Sequence, residues 1–111
     1  MNIMIEQASD TIRIVQPVGR IDLSCAFDLR KALTKQVQRG GTLIVDLTEV
    51  LFIDSSGLGA LISGFKAAKK IGGGFCLMKP NGQVSYVLHS SALNRVLPIY
   101  ASREEALTAI K

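Results

Sequence analysis

A chain of 111 residues, 48% hydrophobic and 20% charged, is sized for one soluble domain that buries a real core. It has no apolar stretch near the roughly 20 residues that span a bilayer, and Met1-Asn2-Ile3-Met4-Ile5-Glu6 lacks the basic n-region and long h-region of a secretory signal. A cytoplasmic location is therefore expected, with no membrane partner. The formal charge of +4 invites a nucleic-acid reading, but the basic residues are scattered, with only the pairs Arg30-Lys31 and Lys69-Lys70 adjacent, so no direct nucleic-acid partner is expected.

In chain order, Ile3 and Ile5 alternate with polar neighbours, Ala8-Ser9-Asp10 supplies turn chemistry, and Thr11 to Val18 resumes a strand. Together they predict an opening hairpin. Pro17 has no N–H to give to a ladder, which predicts an edge, bulge or irregularity near the end of that strand. Gly19-Arg20-Ile21-Asp22 is expected to turn the chain. Between Leu23 and Arg39, Ala26, Leu29, Leu33 and Val37 share one helical face while Asp28, Lys31, Lys35 and Arg39 look outward, and Gly40-Gly41 stops the helix. The two cysteines, Cys25 and Cys76, have no metal or CxxC spacing and are assigned no role.

Leu43 to Leu47 is a β-branched run fit for a buried strand, closed by the polar break Thr48-Glu49. The stretch from Phe52 to Ile62 follows, where an apolar run ends in a carboxylate, two hydroxyls and a glycine: Asp54-Ser55-Ser56-Gly57. Leu58, Leu61, Ile62, Phe65 and Ala68 then recur at helical spacing. A helix beginning at the serines leaves its first N–H groups without internal partners and carries partial positive charge there, so Asp54 or either serine oxygen is suited to cap it.

Ile71-Gly72-Gly73-Gly74 ends this helix before a strand at Phe75 to Met78. Lys79-Pro80-Asn81-Gly82 reads as a loop, Val84 to Leu88 as a short helix with His89-Ser90-Ser91 at its polar end, and Val96 to Tyr100 as a last strand interrupted by Pro98. Ser102-Arg103-Glu104-Glu105 fits a capping box that opens a closing helix to about Ile110. Strands joined by crossover helices predict an α/β fold with a mixed, mainly parallel sheet and an antiparallel edge. In such sheets functional loops gather at the carboxyl ends of strands, which brings Gly19–Asp22 and Asp54–Gly57 within reach of one another.

Asp54-Ser55-Ser56-Gly57-Leu58-Gly59, preceded by Gly19-x-Ile21-Asp22 and followed by the tail Leu93 to Tyr100 and the Glu105-Ala106-Leu107 helix, resembles the STAS domain family, specifically the bacterial anti-anti-sigma factors (anti-sigma factor antagonists). The resemblance covers nearly the whole chain and implies a single STAS domain over residues 1–111, with a sheet of four to five strands and about four helices. It further implies a phosphoacceptor at Ser55 and a partner surface of Asp22, Asp54, Ser56, Gly57, Leu58 and Gly59. The implied partner is an anti-sigma factor that doubles as a serine kinase of the histidine-kinase-like ATPase type, bound when Ser55 is bare and released when it is phosphorylated. A metal-dependent serine phosphatase resets the switch. Magnesium ATP belongs to the kinase, so the chain needs no cofactor or metal and is not an enzyme.

Two positions depart from the family pattern. Arg20 stands where an acidic residue is frequent, and Ser91-Ala92 replaces a Thr-Gly pair. Asp22 and Asp54 fit two roles each, as helix caps or as groups that orient the Ser55 hydroxyl or the partner. Gly57 fits close backbone approach or a tight helix entry. A hydrolase is disfavoured, because His89 is the only histidine and Ser-Ser-Gly-Leu-Gly is not the G-x-S-x-G elbow; no phosphate-binding glycine loop is present. The alternative within the same fold is an accessory STAS subunit or domain that binds a membrane transporter component without an obligatory phosphoswitch. The intact Asp54-Ser55 pair favours the switch. No sustained heptad or long exposed apolar stripe is visible, so a monomer is expected.

Overall fold

The computed structural model describes residues 1–110. The strands are β1 (Asn2–Gln7), β2 (Ile12–Ile21), β3 (Thr42–Asp46), β4 (Val50–Ile53), β5 (Gly74–Met78) and β6 (Ile99–Tyr100). The helices are α1 (Leu23–Val37), α2 (Ser55–Lys70), α3 (Gly82–Ser90) and α4 (Arg103–Ala109), with a 3-10 turn at Leu93–Arg95. The sheet runs β1-β2-β3-β5-β6, with β4 paired to β2. Only β1 and β2 are antiparallel; the remaining pairs are parallel. The fold is thus α/β with a six-stranded mixed sheet and four α-helices. None of these helices is long and apolar enough to cross a membrane.

The continuous apolar runs of β3 and β5 follow from burial on both faces. Leu43, Val45, Phe75 and Leu77 point into the larger core, beneath α1 and α2, with Leu29, Leu33 and Leu61. The intervening Ile44, Cys76 and Met78 point the other way, against Ala106 of α4. Burial pushes the Cys76 thiol up to about 11, so it behaves as a small hydrophobe. The α1 stripe predicted from spacing holds: Ala26, Leu29, Leu33 and Val37 are all buried.

Three elements differ from expectation. The turn expected at Gly19–Asp22 is the second half of β2, which continues to Ile21 after changing neighbours: its first half pairs with β3 and its last three residues with β4. Pro17 lies between the two pairings, where its missing N–H interrupts neither. The sixth strand is β4, short and irregular enough to show no alternation. A register shift between Gly19 and Arg20 leaves Leu51 as the extra residue opposite them, and the bulge turns its side chain to solvent. The expected strand from Val96 to Tyr100 is ordered as β6 only at its last two residues, because the chain before Pro98 is wound into the 3-10 turn.

Two polar contacts close the fold. Arg13, 4% exposed, donates from its guanidinium to the carbonyls of Gln36 and Gly40 at 2.7 and 2.5 Å, placing positive charge at the C-terminal end of α1. Arg103 of α4 forms a two-pronged ion pair with Glu6 of edge strand β1. The capping box forms with a shift of one residue: Ser102 Oγ accepts from the Glu105 N–H, while Glu105 reaches back to the N–H of Ala101.

Replacing Arg13 by methionine strips the buried Gln36 carbonyl and the half-buried Gly40 carbonyl of a charged donor, and the expected loss is about 2–3 kcal/mol in urea unfolding with an unchanged m-value. Ala92 has φ +61°, a left-handed conformation. Ala92→Gly is expected to gain about 0.5–1 kcal/mol, the relief of left-handed alanine less the greater unfolded entropy of glycine.

Candidate functional site

The site is built where β2 and β4 end side by side. Arg20 pairs with Phe52 and Ile21 with Ile53, and the Asp54 N–H donates to the Ile21 carbonyl at 3.2 Å. Each strand then passes directly into a helix whose N-cap is an aspartate: Asp22 for α1 and Asp54 for α2. The two acidic residues thus follow paired strand ends, as expected, and it is the pairing of Ile21 with Ile53 that sets them there.

Asp54 is the cap of α2. Its Oδ1 accepts from the N–H groups of Ser56 and Gly57 at 2.9 and 3.1 Å, and its carbonyl accepts from Leu58. Because the carboxylate occupies these donors, the serine oxygens are not needed there. Ser55, the first residue of α2, is exposed, and among the described residues neither its hydroxyl nor that of Ser56 makes a hydrogen bond. The hydroxyls of Ser24, Thr48 and Ser63 are by contrast all donated to nearby oxygens.

Asp22 plays the same part for α1, accepting from the Ser24 hydroxyl and N–H at 2.5 and 3.0 Å. These hydrogen bonds, with a smaller contribution from Arg20, hold its carboxyl below the usual carboxylate range. Arg20 lies with its guanidinium 4.3 Å from the centre of the Phe52 ring, so cation and aromatic are held beside the strand ends.

The two glycines have different surroundings. A Cβ on Gly57 would stand 2.5 Å from Ile53 Cγ1, 2.7 Å from Ile21 Cγ2 and 3.0 Å from the Ile21 carbonyl oxygen, so α2 approaches both strand ends there because no side chain intervenes. A Cβ on Gly59 would meet nothing within 4 Å. Leu58 is buried in the core, 8% exposed, and so supports the helix from below instead of lying open on the surface.

Residues outside the sequence motif complete the site. Gln83 of α3 exchanges two hydrogen bonds with the backbone of Ile53, and Asn81 donates to the Val50 carbonyl at 2.6 Å while capping α3 through Val84. These amide side chains satisfy the outer edge of β4 as a neighbouring strand would. Nothing local in the sequence marks Gln83; Asn81 is a recognisable cap, but in a segment that reads as a loop. Phe27 and Arg30 of α1 line a groove of about 350 Å³ together with Ser56, Gly59 and Ser63 of α2. Phe27 is legible in retrospect as an aromatic off the apolar stripe. No group of three or more His, Cys, Asp or Glu among the described residues is placed to hold a metal.

The STAS domain family model matches residues 2–106, and the chain belongs to that family. The relatives it resembles include anti-sigma factor antagonists. It is 30% identical to the anti-sigma-B factor antagonist of Bacillus subtilis, with 94% of each chain covered. It is 29% identical to the anti-sigma F factor antagonist of Paenibacillus polymyxa, covering 100% of this chain and 97% of that one. The crystal structure of an anti-sigma factor antagonist from Mycobacterium paratuberculosis superposes with a TM-score of 0.88 at 27% identity, covering 98% of this chain and 92% of the other. These relatives are named as antagonists of other proteins, not by a reaction.

Gly57→Ala is expected to cost about 1–3 kcal/mol by overpacking. Gly59→Ala should be neutral or stabilising by up to about 1 kcal/mol, as in an open helix position; equal losses in thermal melts of the two variants would contradict the close approach at Gly57. For Asp22 the folded-state pKa is depressed, so its contribution to stability is present above the ordinary carboxylate pKa and is lost as pH falls through the lowered value. Ser24→Ala is expected to move the Asp22 titration upward in carbon-detected NMR.

Proposed function

We propose that the chain is a phosphorylation-controlled partner-switching protein: with Ser55 bare it binds an anti-sigma factor that is also a serine kinase, and with Ser55 phosphorylated it releases that partner, thereby regulating transcription in the cytoplasm. The observation that carries the reading is the free, exposed Ser55 hydroxyl at the N-terminus of α2, left unused because Asp54 provides the cap. The similarity to antagonists of anti-sigma factors supports the choice of partner.

The physics of the switch follows from position. Phosphorylation adds roughly −1.5 to −2 charges and three acceptor oxygens. Within the protein this charge lies at a helix N-terminus, where an anion is favoured by about 0.3–1 kcal/mol, so the fold persists. Against a docked partner the balance reverses. A like charge about 5 Å away at an effective dielectric near 20 costs roughly 3 kcal/mol, and desolvation of the phosphate adds to it. That corresponds to about a hundredfold loss of affinity.

The remaining motif residues take roles on the same surface. Asp54 orients the helix mouth and with it Ser55; Asp22 and Ser56 flank it; Gly57 sets the height of α2 above the strands; and Gly59 leaves bare backbone for a partner to approach. Leu58, buried beneath, acts by holding α2 in place. The kinase brings the magnesium ATP, and a metal-dependent serine phosphatase restores the hydroxyl.

Incubation with lysate of the source organism and magnesium ATP, followed by intact-mass and peptide mass spectrometry, is expected to add one phosphate that disappears in Ser55→Ala and persists in Ser56→Ala. The phosphorylated protein should melt no lower than the unmodified one, and up to about 4 °C above it, since the phosphate is favoured at the helix N-terminus and acts against a partner only at the interface. No phosphate on Ser55 while an endogenous serine kinase is demonstrably active would overturn the reading.

A further inference from the structure

Helix α1 carries a second exposed surface that the fold leaves bare. Helical spacing stacks Leu23, Phe27, Lys31 and Lys35 at intervals of four residues, with Arg30 beside them. Leu23 and Phe27 are 79% and 67% exposed. A phenylalanine side chain left in water forgoes the stabilisation of burial, so the position gains nothing for the isolated fold. The Lys31 ammonium stands 5.6 Å from the centre of the Phe27 ring. Among the described residues the one ion pair is Glu6 with Arg103, and Asp28 is the only acidic residue of α1. Arg30, Lys31 and Lys35 therefore face solvent without a carboxylate partner.

This surface is continuous with the candidate site. Phe27, Arg30, Lys31 and Lys35 line a groove of about 600 Å³ that runs along α1 to Gln38. Phe27 and Arg30 also line the groove of about 350 Å³ that reaches Ser56 and Gly59. The two recesses form one track, basic along α1 and apolar at Phe27, ending at the N-terminus of α2.

We propose that this track docks an acidic segment of the protein partner, with one apolar side chain seated against Phe27 and carboxylates meeting Arg30, Lys31 and Lys35. The proposal rests on the reading of Ser55 as the switch and gives the partner a chemistry. Charge complementarity selects an acidic segment. The recess between α1 and α2 admits a protruding side chain but not a bilayer surface, and three cations around two apolar side chains are a poor match for a phosphate backbone. The docking also accounts for the direction of the switch. A phosphate on Ser55 has the same sign as the segment lying at the Ser56–Gly59 end of the track, so modification repels the occupant.

The test titrates the unphosphorylated, ¹⁵N-labelled protein with a stapled helical peptide of glutamate and leucine, and separately with its lysine–leucine counterpart. Amide shifts confined to α1 and to Ser56–Ser63, seen only with the acidic peptide, are expected. The double variant Arg30→Glu, Lys31→Glu and, separately, Phe27→Ser should each weaken binding about tenfold with the fold intact by circular dichroism. Phosphoserine at position 55 should weaken it as well. Absence of shifts, shifts elsewhere, or equal response to the two peptides would overturn the proposal. So would stronger binding through the same residues to phosphatidylglycerol vesicles or to duplex DNA. The mass of Ser55 after incubation with kinase is read independently: phosphorylation without acidic docking removes this proposal and keeps the switch, whereas docking without phosphorylation does the reverse.

Discussion

The carboxylate oxygen of Asp54 that accepts from the Ser56 and Gly57 N–H groups decides what the rest of the site is free to do. A helix start has donors to satisfy, and a serine there ordinarily spends its oxygen on them. Here the residue before the serines takes that task, while β4 holds it in place by pairing with the end of β2. The consequence is a hydroxyl that contributes nothing to the fold and remains open at a positively polarised helix end. The cap and the free hydroxyl are thus separated within two adjacent residues.

The same economy applies to Gly57 and Gly59. One glycine lets α2 descend onto Ile21 and Ile53, so that the helix mouth sits at the strand ends and not above them; the other faces open space. Asn81 and Gln83 complete the support by closing the outer edge of β4 with side-chain amides. An edge strand of four residues would otherwise present unpaired backbone beside the site, and amide side chains occupy that edge without lengthening the sheet. The site therefore has a rigid floor, made of two strand ends and two helix starts, and an exposed upper surface free of internal commitments.

Positive charge is put to distinct uses in this chain. Its net +4 is not spread evenly over function: α1 concentrates Arg30, Lys31 and Lys35 beside exposed apolar side chains, and Arg20 is fixed over Phe52 near Asp22. Buried Arg13, by contrast, is used inside the fold, at the C-terminal end of α1. Counting cations in the sequence cannot distinguish these uses, because a guanidinium turned inward to backbone carbonyls and one waiting at the surface contribute the same unit of charge.

The sequence by itself determined the elements whose signal is local and periodic. The α1 stripe, the continuous apolar runs of β3 and β5, the helix beginning at Asp54-Ser55-Ser56-Gly57 and the α4 capping box all follow from spacing, hydrophobic patterning and hydrogen-bond chemistry within a few residues. The meeting of Gly19–Asp22 and Asp54–Gly57 at the ends of parallel strands followed from the strand and helix order, whereas the roles expected of Ser55 and its neighbours came from the resemblance to the STAS family. Tertiary structure alone decided the continuation of β2 past Gly19, the bulged strand β4, the winding of the chain before Pro98 and the clamp made by Gln83. Each depends on which backbone lies alongside, and a four-residue bulged strand has too little periodicity to announce itself. It also decided which of three oxygens caps α2. Asp54, Ser55 and Ser56 are each able to do so by residue type; only the placement of Asp54 at the end of β4, in extended conformation, directs its carboxylate to the helix and leaves Ser55 free.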